Sequence, residues 1–301
     1  MRRFSIGVAS VVATAALTQF ALAADLPIKA PPIAPAPVVA APSWTGFYIG
    51  GDFGGAWMSG QDYTFADPGG AAWPTCGPCG WYYDPVAVSG GRDSGIIAGI
   101  HVGYNWQFAP AWLLGVEGDF TWTNLDQSVT GVLSNNDTTP LAIAPIPVVN
   151  SSGLFFKTSV NWLASLRGRV GWIFDPAWLV YATGGVAWAD TNQQANATCP
   201  AGVGLCVFST ELSGAKFSAN KTQTGFVVGG GVEWQFASHW RARLEYLYYG
   251  FDNSLSGSSR FLATGGGPLT CVSPTSNNCN AQYTFGDFHI QTARVGISYA
   301  F

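Results

Sequence analysis

From Trp44 onward, apolar and polar residues alternate in segments of about eleven positions separated by connections. A period of two marks a strand with one apolar and one polar face. The first segment sets Phe47, Ile49, Gly51, Phe53, Gly55 and Trp57 against Tyr48, Gly50, Asp52 and Gly54. The second sets Ile96 to Phe108, taken at every second position, against Gly99, His101, Gly103, Asn105 and Gln107. The third opposes Trp112, Leu114, Val116, Phe120 and Trp122 to Glu117, Asp119 and Thr121. In the fourth, Val160, Trp162, Ala164, Leu166, Val170 and Trp172 oppose Asn161, Ser165, Arg167 and Arg169. Four more follow: Trp178–Trp188, Phe226–Phe236 with Glu233 on its polar face, Trp240–Tyr248 with Arg241, Arg243 and Glu245, and Ala293–Phe301 with Arg294. Eight strands, an even number, suit a closed antiparallel barrel.

The connections alternate in length. Phe108-Ala109-Pro110-Ala111-Trp112, Phe174-Asp175-Pro176-Ala177-Trp178 and Phe236-Ala237-Ser238-His239-Trp240 are versions of one short turn. The other four connections read as loops of roughly 35 residues, uncommon in a compact soluble domain. Short turns at one end and long loops at the other are the layout of an outer-membrane barrel, with short periplasmic turns and long extracellular loops. The predicted fold is therefore all-β: an eight-stranded antiparallel transmembrane β-barrel.

Tryptophan spacing sharpens this. Trp112 and Trp122, Trp162 and Trp172, and Trp178 and Trp188 are each ten residues apart on one face. Ten strand residues rise roughly 34 Å, and a tilt near 45° leaves roughly 24 Å along a membrane normal. An apolar band of about 25 Å flanked by aromatic girdles is the outer surface of such a barrel. The expected girdle comprises Trp57, Trp106, Trp112, Trp122, Trp162, Trp172, Trp178, Trp188, Trp234 and Trp240.

The polar faces predict the interior. They carry Asp52, Glu117, Asp119, Glu233 and Glu245 together with Arg167, Arg169, Arg241, Arg243 and Arg294, and none of the four lysines is expected clearly within a strand. Arginine suits buried, bidentate pairing, whereas a water-facing strand would use lysine freely. Eight strands enclose a lumen just wide enough for side chains to fill. The expectation is an ion-pair plug and no wide pore.

Composition and the chain start fix the compartment. Charged residues are only 10% of the 301-residue chain, and its formal charge is −4 without any basic run, which excludes a disordered chain and a nucleic-acid partner. Met1-Arg2-Arg3, the apolar stretch Ile6–Phe20 and Ala21-Leu22-Ala23 read as a secretory signal peptide, expected over residues 1–23. No later run of about 18 apolar residues supplies a membrane helix. Residues 24–43 are proline-rich and predict an extended linker. The barrel domain is expected over residues 44–301.

Candidate chemistry is sparse. Cys76-Gly77-Pro78-Cys79 copies a thioredoxin dithiol, but Gly80 and Asp84-Pro85 discourage the helix that would activate it. With Cys199, Cys206, Cys271 and Cys279, these cysteines form three local pairs in long connections of an exported chain, and loop disulfides are expected. No histidine neighbours a cysteine pair, so no zinc site is expected. His101 reads as a polar lumen filler. His289 lies near a long connection, where haem could use an axial ligand, but one histidine makes no pocket. Gly-x-Ser-x-Gly is absent, and no histidine begins a His-x-Ser, so neither an enzyme nor a cofactor is expected.

Ala23-Ala24-Asp25-Leu26-Pro27, Trp44-Thr45-Gly46-Phe47-Tyr48-Ile49-Gly50 and the ending Val295-Gly296-Ile297-Ser298-Tyr299-Ala300-Phe301 resemble the small eight-stranded outer-membrane proteins of Gram-negative bacteria, the OmpA-like and opacity-type barrels. The resemblance implies that Val295, Ile297, Tyr299 and Phe301 are the signal read by the barrel-assembly machinery. It implies residence in the bacterial cell outer membrane, among its lipid and lipopolysaccharide. That family contains structural proteins, adhesins, haemin binders and small porins. The expected function is a structural envelope protein that displays surface loops. The alternatives are a narrow diffusion pore, and a receptor or adhesin for a host or cell-surface ligand, with haemin as the candidate small ligand. The cluster Trp81-Tyr82-Tyr83 suits either a contact surface or the outer girdle.

Overall fold

The computed structural model describes residues 43–66, 86–133, 152–198, 215–252, 255–260 and 280–301. The expected signal peptide, most of the linker, all six cysteines and Trp81-Tyr82-Tyr83 lie outside the described residues. The strands are β1 (Gly46–Ser59), β2 (Asp62–Ala66), β3 (Val86–Ser89), β4 (Asp93–Ala109), β5 (Trp112–Leu133), β6 (Ser152–Asp175), β7 (Trp178–Thr198), β8 (Ala215–Gln235), β9 (Trp240–Phe251), β10 (Leu255–Arg260), β11 (Asn280–Phe285) and β12 (Phe288–Ala300).

Eight of them close an antiparallel barrel in the order β1-β12-β9-β8-β7-β6-β5-β4. Each contains one of the eight segments read from the alternation. Barrel closure is the β1–β12 pairing, from Tyr48↔Ala300 to Ser59↔His289. The apolar face points outward, with Ile49, Phe53, Val116, Leu166 and Leu244 all exposed, while the polar face is buried.

Two features depart from the sequence reading. First, β5, β6, β7 and β8 run well past the expected spans, so the connections between β5 and β6 and between β7 and β8 shorten to residues 134–151 and 199–214. Three lysines consequently stand within strands: Lys157 in β6, and Lys216 and Lys221 in β8. They occupy the extensions, where Lys216 and Lys221 are exposed and Lys157 pairs with Asp126 at 3.4 Å. Their exposure is what lets lysine stand there, since its strongly hydrated ammonium suits an open face; the arginine-only rule holds for the barrel interior below.

Second, the register breaks between Trp122 and Leu125 in β5 and between Val160 and Trp162 in β6. A bulge inserts a residue and reverses the alternation beyond it. Val160, expected on the outer face, is buried, and Asn161, expected inside, is exposed.

The remaining strands form a second sheet, β10-β11-β2-β3, in which each strand is the continuation of a barrel strand. The chain passes from β1 to β2, β3 to β4, β9 to β10 and β11 to β12 within two or three residues, so the sheet order repeats β9-β12-β1-β4. Gly60, with φ of 58°, makes the first break, a conformation open to glycine. The buried Gln61 stitches its neighbours: Gly90 N–H donates to Gln61 O at 2.7 Å, and Gln61 Nε2 donates to Gly286 O at 3.0 Å. The second sheet packs against the extensions of β5–β8 through Tyr63, Phe65, Leu154, Phe156, Tyr283 and Phe285. This makes a two-layered head on the end away from the short turns.

Candidate functional site in the barrel lumen

The inward residues of β6 read out the interior from the short turns upward. Ile173 belongs to an apolar cluster, Arg169 and Arg167 to a charged layer, Leu163 and Val160 to a second apolar cluster, and Phe156 and Leu154 to the head. Thr158, buried between the last two, receives a hydrogen bond from the Tyr63 hydroxyl at 3.3 Å. Alternation places all of these on one face, and only the bulge at Asn161 keeps Val160 and Thr158 in line with it.

Asp52, Glu117, Asp119, Glu233, Glu245, Arg167, Arg169, Arg241, Arg243 and Arg294 are all buried in this lumen. Nine of them join through ion pairs. Glu117 takes Arg167, Arg169 at 3.3 Å and Arg243 at 2.9 Å. Glu245 takes Arg167 at 3.0 Å and Arg294 at 2.6 Å. Asp52 receives Arg243 on both oxygens, at 2.7 and 2.6 Å. Asp119 takes Arg167 at 3.1 Å and Arg294 at 3.3 Å, and Arg169 reaches Glu233 at 2.6 Å. Each arginine thus serves carboxylates on different strands, which ties the walls together across the lumen.

Arg241 stands apart. Among the described residues it makes no ion pair; its guanidinium lies 4.5 Å over the Trp44 ring, and Nη2 donates to Ser43 O at 3.4 Å.

Several members were not singled out from the sequence. The Tyr48 hydroxyl donates to Glu117 at 2.7 Å and the Tyr181 hydroxyl to Glu245 at 2.8 Å. Ser165 donates to Asp119. Tyr48 and Tyr181 sit at polar-face positions of their strands, and that parity is the signal that finds them. A Cβ on Gly103 would fall 2.3 Å from the Tyr48 hydroxyl, so this glycine makes room for the ring. His101 lies between Asp52 (Nδ1 to Oδ2, 2.8 Å) and Ser298 (Nε2 to Oγ, 2.8 Å). That order matches a hydrolase triad, but Asp52 is shared with Arg243 and Ser298 is buried.

Trp44 has no periodicity to announce it. It is fully buried at the short-turn end against Leu113, Ile173, Leu179 and Tyr181. Its backbone N–H donates to Gln107 Oε1 and its indole Nε1 to Pro176 O, each at 3.2 Å. It closes the lumen from below. From above, Met58, Ile97, Leu125, Leu163, Leu247 and Phe288 close it with apolar side chains.

On the outer surface, Trp106, Trp112, Trp172, Trp178, Trp234 and Trp240 are exposed near the short turns, and Trp178 stacks on Trp234 at 5.7 Å. Trp122 is exposed and pairs in register with the half-buried Trp162 further up, where Trp188 is also half-buried. Trp57 is exposed towards the end of β1. At the C-terminus, Val295 and Ile297 point outward, Tyr299 packs on Trp240 at 5.2 Å, and Phe301 N–H donates to Phe47 O at 2.9 Å.

A family model described as an outer membrane protein beta-barrel domain matches residues 30–301. The 31 kDa outer-membrane immunogenic protein of Brucella melitensis biotype 1 is 29% identical over 252 residues, covering 81% of this chain and 85% of that protein. The 22 kDa outer membrane protein of Rhizobium leguminosarum bv. viciae is 27% identical over 213 residues, 71% of this chain and 67% of its own. Among solved structures, OprG of Pseudomonas aeruginosa aligns with a TM-score of 0.41 and 11% identity over 85% of this chain and 97% of that one. The chain belongs to the outer-membrane β-barrel family and resides in the bacterial outer membrane.

Proposed function

We propose that this protein is a closed, non-conducting outer-membrane barrel whose role is architectural: it adds a rigid span to the envelope and carries an ordered head on its outer side. The observation that carries this reading is the charged layer. Five carboxylates and four arginines are joined across the lumen, and the layer is capped below by Trp44 and above by an apolar cluster. A conducting filter presents like-signed or unpaired charge to passing ions; here the charges are spent on each other.

Planar-bilayer recording of the refolded protein tests it. The wild type is expected to show no discrete steps above the bare bilayer. Steady, unitary steps would mean an open lumen and would move the protein to the diffusion-pore reading.

The second reading, a receptor or adhesin, draws on the head. The connections spanning residues 67–85, 134–151, 199–214 and 261–279 all leave from its strands. The head has an apolar core of its own, and the described ends of those connections belong to its strands.

A further inference from the structure

Strand β8 runs from Ala215 to Gln235, but β9 pairs with it only between Phe226 and Gln235. Residues 215–225 therefore have β7 on one side and, among the described residues, no strand laddered to the other. β10 approaches them from the inner face, through the Phe217 ring on Gly257, and belongs to the second sheet. Parity gives the direction of the backbone groups. Gln235 N–H donates to Ala177 O at 2.8 Å, on the β7 side, and Lys221 O accepts from the Thr191 hydroxyl of β7 at 2.9 Å. The β7–β8 register runs unbroken from Trp234 to Ala215, so odd-numbered residues of β8 turn their N–H and C=O to β7. Lys216, Ser218, Asn220 and Thr222 turn theirs to the open side, because the two sides alternate along a strand. All four residues are exposed.

The head has a second edge of this kind, on β5, and that one is covered. β4 pairs with β5 only between Trp112 and Thr123. Beyond Thr123, Ile96 N–H donates to Asn124 Oδ1 and Asp126 N–H to Asp93 Oδ2, each at 2.8 Å, and the Gln127 amide donates to Gly91 O. Side chains there take the place of a ladder. The edge-facing backbone of Lys216, Ser218, Asn220 and Thr222 has no such cover among the described residues. An open row of N–H and C=O groups is a template for one more strand.

We infer that the upper edge of β8 is a docking site for an acidic, extended peptide segment of another protein, which adds to the sheet as a strand beside Lys216–Thr222. Charge selects the occupant. Lys216 and Lys221 are both exposed on this edge, and among the described residues neither is in an ion pair, whereas Lys157 is taken by Asp126. Lys221 belongs to the inner face by parity and is exposed all the same, so its ammonium is free to meet a strand laid alongside. Edge lysines repel uncharged and basic strands, and the same two charges favour an acidic one. A second copy in the same membrane fits poorly: its β8 would run parallel, in the weaker pairing, with like-charged lysines at matching heights. The connection that follows β10, residues 261–279, contains no acidic residue. The inference gives the receptor reading a mode of contact and is independent of whether the lumen conducts.

Fluorescence anisotropy with the full chain refolded into phosphatidylcholine vesicles tests it. The probe is a labelled, threonine-rich peptide about ten residues long with glutamate on both faces. Two control peptides share its length: one N-methylated at alternate residues, the other with lysine for each glutamate. The acidic peptide is expected to bind at least about tenfold more tightly than either control, since N-methylation removes edge hydrogen bonds and lysine reverses the charge. Thr222→Pro removes one edge-facing N–H and leaves the β7 ladder intact, and is expected to weaken the acidic peptide about fivefold. Lys216→Glu with Lys221→Glu is expected to exchange the preference for the acidic peptide for one for the basic peptide, and carries the test should the proline variant not fold. Equal binding of the acidic and N-methylated peptides overturns the edge while leaving a receptor that works by charge alone. Binding of none of the three overturns it as well and returns the receptor reading to the long connections. A wild type that binds none and runs as a dimer on native gels would assign the edge to a second copy.

Discussion

A buried arginine is only as stable as its partners allow. Arg294 is shared between Glu245 and Asp119, and both carboxylates depend on it for part of their neutralisation. Removing one member of a buried pair leaves an uncompensated charge, at a cost of about 3–5 kcal/mol. Arg294→Met is therefore expected to lose that much in urea unfolding from lipid vesicles, followed by gel mobility. Arg241 is equally buried but rests on an aromatic face and a backbone oxygen. Arg241→Met strands no directly paired carboxylate and is expected to cost only about 1–2 kcal/mol, the size of a desolvated cation–π contact. Equal losses from the two variants would mean that Arg241 also serves a carboxylate.

At the scale of elements, legibility followed the strength of the alternation. In the barrel the outer face is large and apolar and the inner face charged or small, so the period of two stands out and all eight spans could be read. Higher up, the pattern persists in weaker ink. Leu125, Gln127 and Val129 point inward and Asp126, Ser128 and Thr130 outward, but polar residues on both faces blur the contrast. The second sheet was illegible because its strands are four to six residues long and follow glycine or polar breaks that read as loop. The bulge at Asn161 was not legible, because Val160 and Trp162 keep a spacing of two and read as one face although the register breaks between them. Trp44 precedes the first strand, where no period applies.

The head is held at one margin by Phe217 of β8 against the backbone of Gly257 in β10, where an added Cβ would fall 1.8 Å from the ring. Gly257→Val overpacks that seam, at a cost of about 1–3 kcal/mol to the head. Limited proteolysis is expected to cut within or beside β10 and β11 in this variant. The membrane-embedded barrel should keep its heat-modifiable mobility. Loss of that mobility would show that head and barrel unfold as one unit.

For the whole molecule, the stacking of layers has a consequence that no layer has alone. Three layers stand in series along the lumen, and on the non-conducting reading each is a closure: Trp44 with Leu179 and Tyr181, the ion-pair layer, and the apolar cluster around Leu163, Leu247 and Phe288. Closures in series fail only together, because an ion must pass all three and an apolar constriction alone excludes it by dewetting. Neither Trp44→Ala nor the pair Arg167→Ala with Arg169→Ala is therefore expected to conduct, even though the latter breaks pairs to Glu117, Glu233 and Glu245. Conductance is expected only when those three substitutions are combined with Leu163→Ala and Leu247→Ala, each variant first checked for folding by its heat-modifiable mobility. Unitary steps from the Arg167–Arg169 variant alone would identify the charged layer as the single gate and reduce the two apolar clusters to packing. Steps from Trp44→Ala alone would place the gate at the short-turn mouth, beneath ion pairs that leave a path between them.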